Sequence, residues 1–154
     1  MLKNTKKYLP ELVYGGIDGS VTTFAIVAGV VGAGLASKVI LIIGLASLIA
    51  DGFSMGVSNY FSQKSENDLE KDGENHNKNA QQTAVATFVS FIIIGAIPLI
   101  PYVAGIFISM SNTLLFALSC LMPLIAFFLI GYVKGVVTNK NKITSGIEVL
   151  LSLV

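Results

Sequence analysis

Asp18 and Asp51 are the residues best placed to do chemistry in this sequence. Each stands inside a long apolar stretch, where an Asp costs at least about 2.5 kcal/mol on insertion scales and so usually has a partner or a task. No Lys, Arg or His lies within the apolar stretches to neutralise either one. A carboxyl group so placed stays protonated, borders water or binds a cation. At helical periodicity, Asp18, Thr22, Ala25, Gly29 and Gly32 share one stripe. Ser47, Asp51, Ser54, Met55, Ser58 and Ser62 share another, which carries a carboxylate, a thioether and four hydroxyls. Gly52, Gly56 and Leu48 lie on the opposite side and suit packing. Hard carboxylate oxygen beside a softer thioether fits Fe(II) or Mn(II) better than Mg(II) or Ca(II). From the residues alone three readings stay open: a cation path, protonated acids that hold a bundle together, or a path for a non-ionic solute.

The elements that must position these groups follow from where the charges fall. Apolar stretches cover 14–36, 39–61, 80–102 and 111–133. Each is about 23 residues, against the roughly 20 that cross a ~30 Å hydrocarbon core. Backbone groups in lipid must bond within their own segment, so four spanning helices are expected. A fifth apolar segment begins near Ser145 and reaches Val154, roughly half the length of a span. The expected fold is thus an all-α polytopic membrane bundle forming a single membrane domain, with four complete spans and a truncated fifth. On this scheme Asp18 lies about 6 Å and Met55 about 9 Å from the same membrane face, with Asp51 deeper, near the middle.

Composition agrees. Of 154 residues, 53% are hydrophobic and 12% charged, and the mean hydropathy is +0.75. Ten Lys, no Arg and nine acids give a net charge of +1, which excludes a nucleic-acid binder that works through clustered basic charge. The single Cys120 allows neither an internal disulfide nor a Cys-based metal knuckle. No enzymatic role is expected. Lys3, Lys6, Lys7, Lys64, Lys71, Lys78, Lys134, Lys140 and Lys142 fall on one side of the four-span scheme and only Lys38 on the other. The positive-inside rule places the first side, with the N-terminus and the loop 62–79, in the cytoplasm. In that loop Glu66 and Glu70 are four apart, and Glu74 and His76 follow. The loop is either a solvated polar connection or a weak metal-collecting vestibule, with Glu66 nearest the mouth of a path. Pro98 and Pro101 close the third span and Pro123 interrupts the fourth. Small residues recur at four-residue spacing in Gly15/Gly19, Gly29/Ala33, Gly52/Gly56 and Gly131/Gly135. They serve packing within one chain or, for Gly15, Gly19, Gly29 and Ala33, a homodimer seam.

Two motifs carry a resemblance. Tyr14-Gly15-Gly16-Ile17-Asp18-Gly19-Ser20-Val21-Thr22-Thr23-Phe24-Ala25 resembles the first-span signature of the vacuolar iron transporter family. Gly44-Leu45-Ala46-Ser47-Leu48-Ile49-Ala50-Asp51-Gly52-Phe53-Ser54-Met55-Gly56, followed by Asn59-Tyr60 and Lys64-Ser65-Glu66, resembles its second. Gly131-Tyr132-Val133-Lys134-Gly135 and Ser145-Gly146-Ile147-Glu148 are similar to later parts of that family. The resemblance implies a homodimer of five-span chains that exports Fe(II), often Mn(II), from the cytosol in exchange for protons, with no permanently bound cofactor. It implies that Asp18 and Met55 line the path at the dimer interface and that Glu66 is the loop acid after the second span. Plant-type relatives carry a long Glu-rich metal-binding domain between the second and third spans. Here that region has about 18 residues, so a short, bacterial-type member in the cytoplasmic membrane is expected. The competing expectation is a truncated chain that packs or oligomerises without transporting.

Overall fold

The computed structural model describes residues 6–69 and 78–151. These form helices α1 (Leu9–Gly32), α2 (Ser37–Leu69), α3 (Ala80–Gly95), α4 (Ile100–Phe107), α5 (Asn112–Thr138) and α6 (Lys142–Leu151), with a 3₁₀ turn at Ile97–Leu99. Four helical segments are long and apolar enough to cross a membrane, α3 and α4 counting as one broken span from Ala80 to Phe107. The chain is therefore an all-helical, polytopic integral membrane protein.

The helices outrun the apolar stretches in physically readable ways. Pro10 sits in the first turn of α1, where its fixed φ suits helix initiation, so the helix starts at Leu9 and not at residue 14. α2 and α5 carry on past their apolar runs, to Leu69 and Thr138. Hydropathy marks where lipid ends, whereas a helix ends at a cap. The α5 cap is Asn139, in the left-handed region with φ 57°. The broken span also continues past Tyr102, to Phe107, and leaves only residues 108–111 as the outer turn. Its break comes at Pro98, and the Pro98 carbonyl accepts a hydrogen bond from Ser119 Oγ at 2.8 Å.

Glycines set the closest approaches. A Cβ on Gly15 would lie 2.6 Å from the Thr87 carbonyl oxygen, and one on Gly19 would lie 2.5 Å from that of Phe91. α1 and α3 thus touch backbone to backbone. Leu48, Gly52 and Gly56 form the buried seam of α2 as expected, with Gly52 against Phe91 and Gly56 against the Ala84 carbonyl. α6 folds back along α5, and a Cβ on Gly131 would come within 2.3 Å of the Ser145 carbonyl oxygen. The main core joins Val27, Val30, Ile40, Leu48, Phe91, Leu99, Tyr102 and Leu115, and a smaller one joins Phe127, Ile130 and Val149. Outside them, Ile42, Ile49, Phe53, Ile93, Phe107 and Leu121 are exposed, as helices solvated by lipid tails require.

Candidate metal path on the membrane surface

The two stripes singled out by periodicity lie on the outside of the chain. Asp18, Ala25, Gly29 and Gly32 are exposed along α1, and Thr22 at the edge of that stripe is half-buried. Glu11, Gly15 and Gly19 are buried on the adjoining side of the same helix. On α2, Asp51, Ser54, Ser58 and Ser62 are exposed and Ser47 is half-buried. Ser47 Oγ donates a hydrogen bond to Asp51 Oδ2, the i to i+4 pairing that helical geometry offers. Met55 departs from the rest of the stripe. It is half-buried and packs against the main core, next to Gly56 in sequence.

Two sequence expectations are corrected here. Gly15 and Gly19 are consumed by packing on α3 of the same chain and cannot form a seam between copies. Gly29 and Ala33 remain exposed, and a Cβ on Gly29 would meet nothing within 4 Å. A basic group also lies on a spanning helix. Because α5 extends to Thr138, Lys134 lies on a spanning helix and lines the same groove as Asp18, a cleft of about 570 Å³ walled by Leu9, Val13, Ile17 and Val21. The Nζ of Lys134 stands 3.9 Å from Glu148 Oε2 on α6, a long and solvent-facing ion pair.

The lysine-rich end holds a polar clasp that composition did not announce. Glu11 is buried in α1, and its Oε1 accepts from Lys78 Nζ at 2.9 Å, just before α3. Asn67 Nδ2 donates to the Lys78 carbonyl at 2.9 Å. Gln63 Nε2 donates to both Asn67 Oδ1, at 3.1 Å, and Glu66 Oε2, at 2.9 Å. Glu66 therefore stands exposed on α2 but tethered, at the rim of a network that ties α1, α2 and α3. Glu11 was findable: it sits four residues before Gly15 on the buried stripe, provided the helix is extended back through Pro10. Glu70, Glu74 and His76 lie outside the described residues. Among the described residues, no three His, Cys, Asp or Glu side chains gather closely enough to hold a metal ion within one chain.

A family profile described as the VIT family matches this chain in two segments, residues 9–82 and 71–152. The chain belongs to the VIT family. It is 50% identical over 62 residues to a protein named vacuolar iron transporter from Toxoplasma gondii, a match covering 40% of this chain and 20% of the relative. It is 27% identical over 211 aligned positions to the vacuolar iron transporter of Plasmodium berghei, covering 96% of this chain and 77% of the relative. Vacuolar iron transporter 1 of Eucalyptus grandis is 24% identical over 200 positions, covering 92% and 79%. The P. berghei alignment is longer than the 154 residues of this VIT-family chain, so the relative carries sequence that this chain lacks. The two matched segments of the profile meet between α2 and α3, the connection expected to be short.

Proposed function

We infer that this chain transports divalent iron, manganese or both out of the cytosol, in exchange for protons, as a homodimer with the path between its two copies. One observation carries the reading. The intramembrane carboxylates Asp18 and Asp51, with Ser54 and Ser58, lie on exposed faces of helices that cross lipid. Lipid tails offer such groups no partner, so a second polar surface must cover them. A second copy supplies one: Asp18, Gly29 and Ala33 of each chain can approach the same groups of the other. Doubling Asp18, Asp51 and Met55 across that seam furnishes the donor set that one chain does not gather.

The chemistry follows from the donors. Fe(II) and Mn(II) tolerate carboxylate, hydroxyl and thioether ligands together, and Met55 supplies the soft member. A carboxylate binds either a proton or the metal, so a proton arriving from the far side displaces the metal toward it. Glu66, exposed at the lysine-rich end, attracts cations to the mouth. The positive-inside rule supports a cytoplasmic position for that end, and we propose a bacterial cytoplasmic membrane and, from the short connection after α2, a member without a separate metal-binding domain. The names of the relatives, vacuolar iron transporter, agree with iron as cargo. Protein reconstituted in liposomes with a metal-quenched dye inside tests it. Fe(II) or Mn(II) influx that accelerates when the lumen is acid is expected. Absence of influx for Fe, Mn, Co and Zn alike would overturn the reading.

A further inference from the structure

A second feature of the membrane surface does not depend on transport. Between α2 and α3, at the lysine-rich end, runs a groove of about 460 Å³ walled by Phe53, Val57, Tyr60, Phe61, Val85 and Phe88. We propose that this groove is a binding site for an anionic phospholipid of the lysine-side leaflet, one acyl chain lying between the helices and the phosphate held by Lys64.

The shape supports an acyl chain. The groove runs from Phe53 to Phe61 on α2 and from Gln81 to Phe88 on α3. Eight residues of helix make it about 12 Å long, most of one ~15 Å leaflet. Its floor is Gly56 and Ala84, where the two backbones come close and leave the walls standing proud. Tyr60 and Phe61 hold each other edge to face, with centroids 5.3 Å apart, which fixes the rim.

The charge selects the headgroup. Phe53, Val57, Tyr60 and Lys64 follow one another at i, i+4, i+7 and i+11 on α2, so Lys64 lies one turn beyond Tyr60 on the face that lines the groove. It is exposed, and neither the Lys78–Glu11 nor the Lys134–Glu148 ion pair uses it. Tyr60 at the rim and Gln81 at the end of the groove add a hydroxyl and an amide as donors to phosphate oxygens. A cation at the headgroup level above an aromatic-walled apolar slot matches an anionic phospholipid. A second copy of the chain is a poorer occupant, because Asp51, Ser54 and Ser58, the groups that need covering, lie on the other shoulder of α2.

Native mass spectrometry of the full chain released from neutral detergent reads this directly, with phosphatidylglycerol and phosphatidylcholine of identical acyl chains as probes. Wild type is expected to retain phosphatidylglycerol in preference to phosphatidylcholine. Lys64→Ala should weaken phosphatidylglycerol retention about fivefold, the factor one surface lysine contributes toward anionic lipid. Lys140→Ala, an exposed lysine at the same end, should leave it unchanged. Val85→Trp fills the slot from an exposed position, 60% accessible, that the fold tolerates, and should abolish retention of both lipids at this site. Equal retention of the two lipids by wild type, or retention of phosphatidylglycerol undiminished in both Lys64→Ala and Val85→Trp, overturns the proposal. So does loss of the dimer in Val85→Trp, which would assign the groove to a second copy. Metal flux enters none of these readouts, so failure here is distinct from failure of the transport reading.

Discussion

Asp18 on α1 and Lys134 on α5 line one groove, which places an acid and a base on the walls of the same cleft. The groove is otherwise mostly apolar, which strengthens any attraction between the two. Lys134 is held only loosely elsewhere, at 3.9 Å from Glu148. On the proposed path, a metal ion arriving at Asp18 meets the positive charge of Lys134 in the same groove. Lys134→Gln removes that charge and should lower the metal concentration for half-maximal transport, by up to about fivefold, as a partly exposed charge interaction is worth no more than about 1 kcal/mol. Concentration dependence of initial flux in liposomes checks this. An increase in that concentration would mean that Lys134 assists the metal.

Lys78 and Glu11 form the one well-buried ion pair among the described residues, and the other Glu11 oxygen, Oε2, has no partner. Removing Lys78 alone leaves a carboxylate stranded at the α1–α3 contact. Lys78→Ala should cost about 2 kcal/mol, below the 3–5 typical of fully buried pairs because Lys78 is 27% exposed. Glu11→Gln combined with Lys78→Ala should recover most of the loss, since no charge is then left unpaired. Thermal unfolding of both variants in detergent, read as a double-mutant cycle, tests it.

The two small-residue pairs of α1 should behave oppositely. Gly15→Ala pushes a methyl onto the Thr87 carbonyl and should lower thermal stability in detergent whatever the oligomeric state. Gly29→Leu meets open space in one chain, so it should leave the unfolding of the single chain unchanged and reduce the dimer fraction in cross-linking or light scattering. An undiminished dimer in Gly29→Leu would remove the α1 seam.

Ser119 and Pro98 offer a test of the broken span. Ser119→Ala orphans the Pro98 carbonyl in a fully buried site and should destabilise by about 1 kcal/mol, the scale of hydrogen bonds between membrane helices. Denaturant unfolding in mixed micelles measures it.

The spans were legible because lipid imposes one rule on every residue they contain, and the 12% charged fraction left the boundaries visible. The stripes of Asp18 and Asp51 were legible for the same reason: helical periodicity alone decides which side chains share a face. Hydropathy could not show how far a helix continues into water, and this hid Glu11 and Lys134. Glu11 reads as part of a charged N-terminus until Pro10 is recognised as the first turn of α1. Lys134 reads as loop until Asn139 is seen to carry the cap. Glycine spacing was legible as close packing, but whether the partner belongs to the same chain depends on tertiary contacts. Gly15 met Thr87 and Gly29 met nothing. Met55 shares its stripe with exposed serines, yet it is half-buried and packs against the main core, which periodicity alone does not show.

Metal influx into inside-out vesicles under a fixed pH gradient, compared between wild type, Asp18→Asn and Met55→Ala, bears most directly on the path. Asp18 is exposed and its removal disturbs no packing, so Asp18→Asn should keep the fold and lose at least about tenfold in initial rate, the effect of taking one charged ligand from a metal path. Met55→Ala should also fall strongly. Influx unchanged from wild type in both variants would contradict a metal path through these residues.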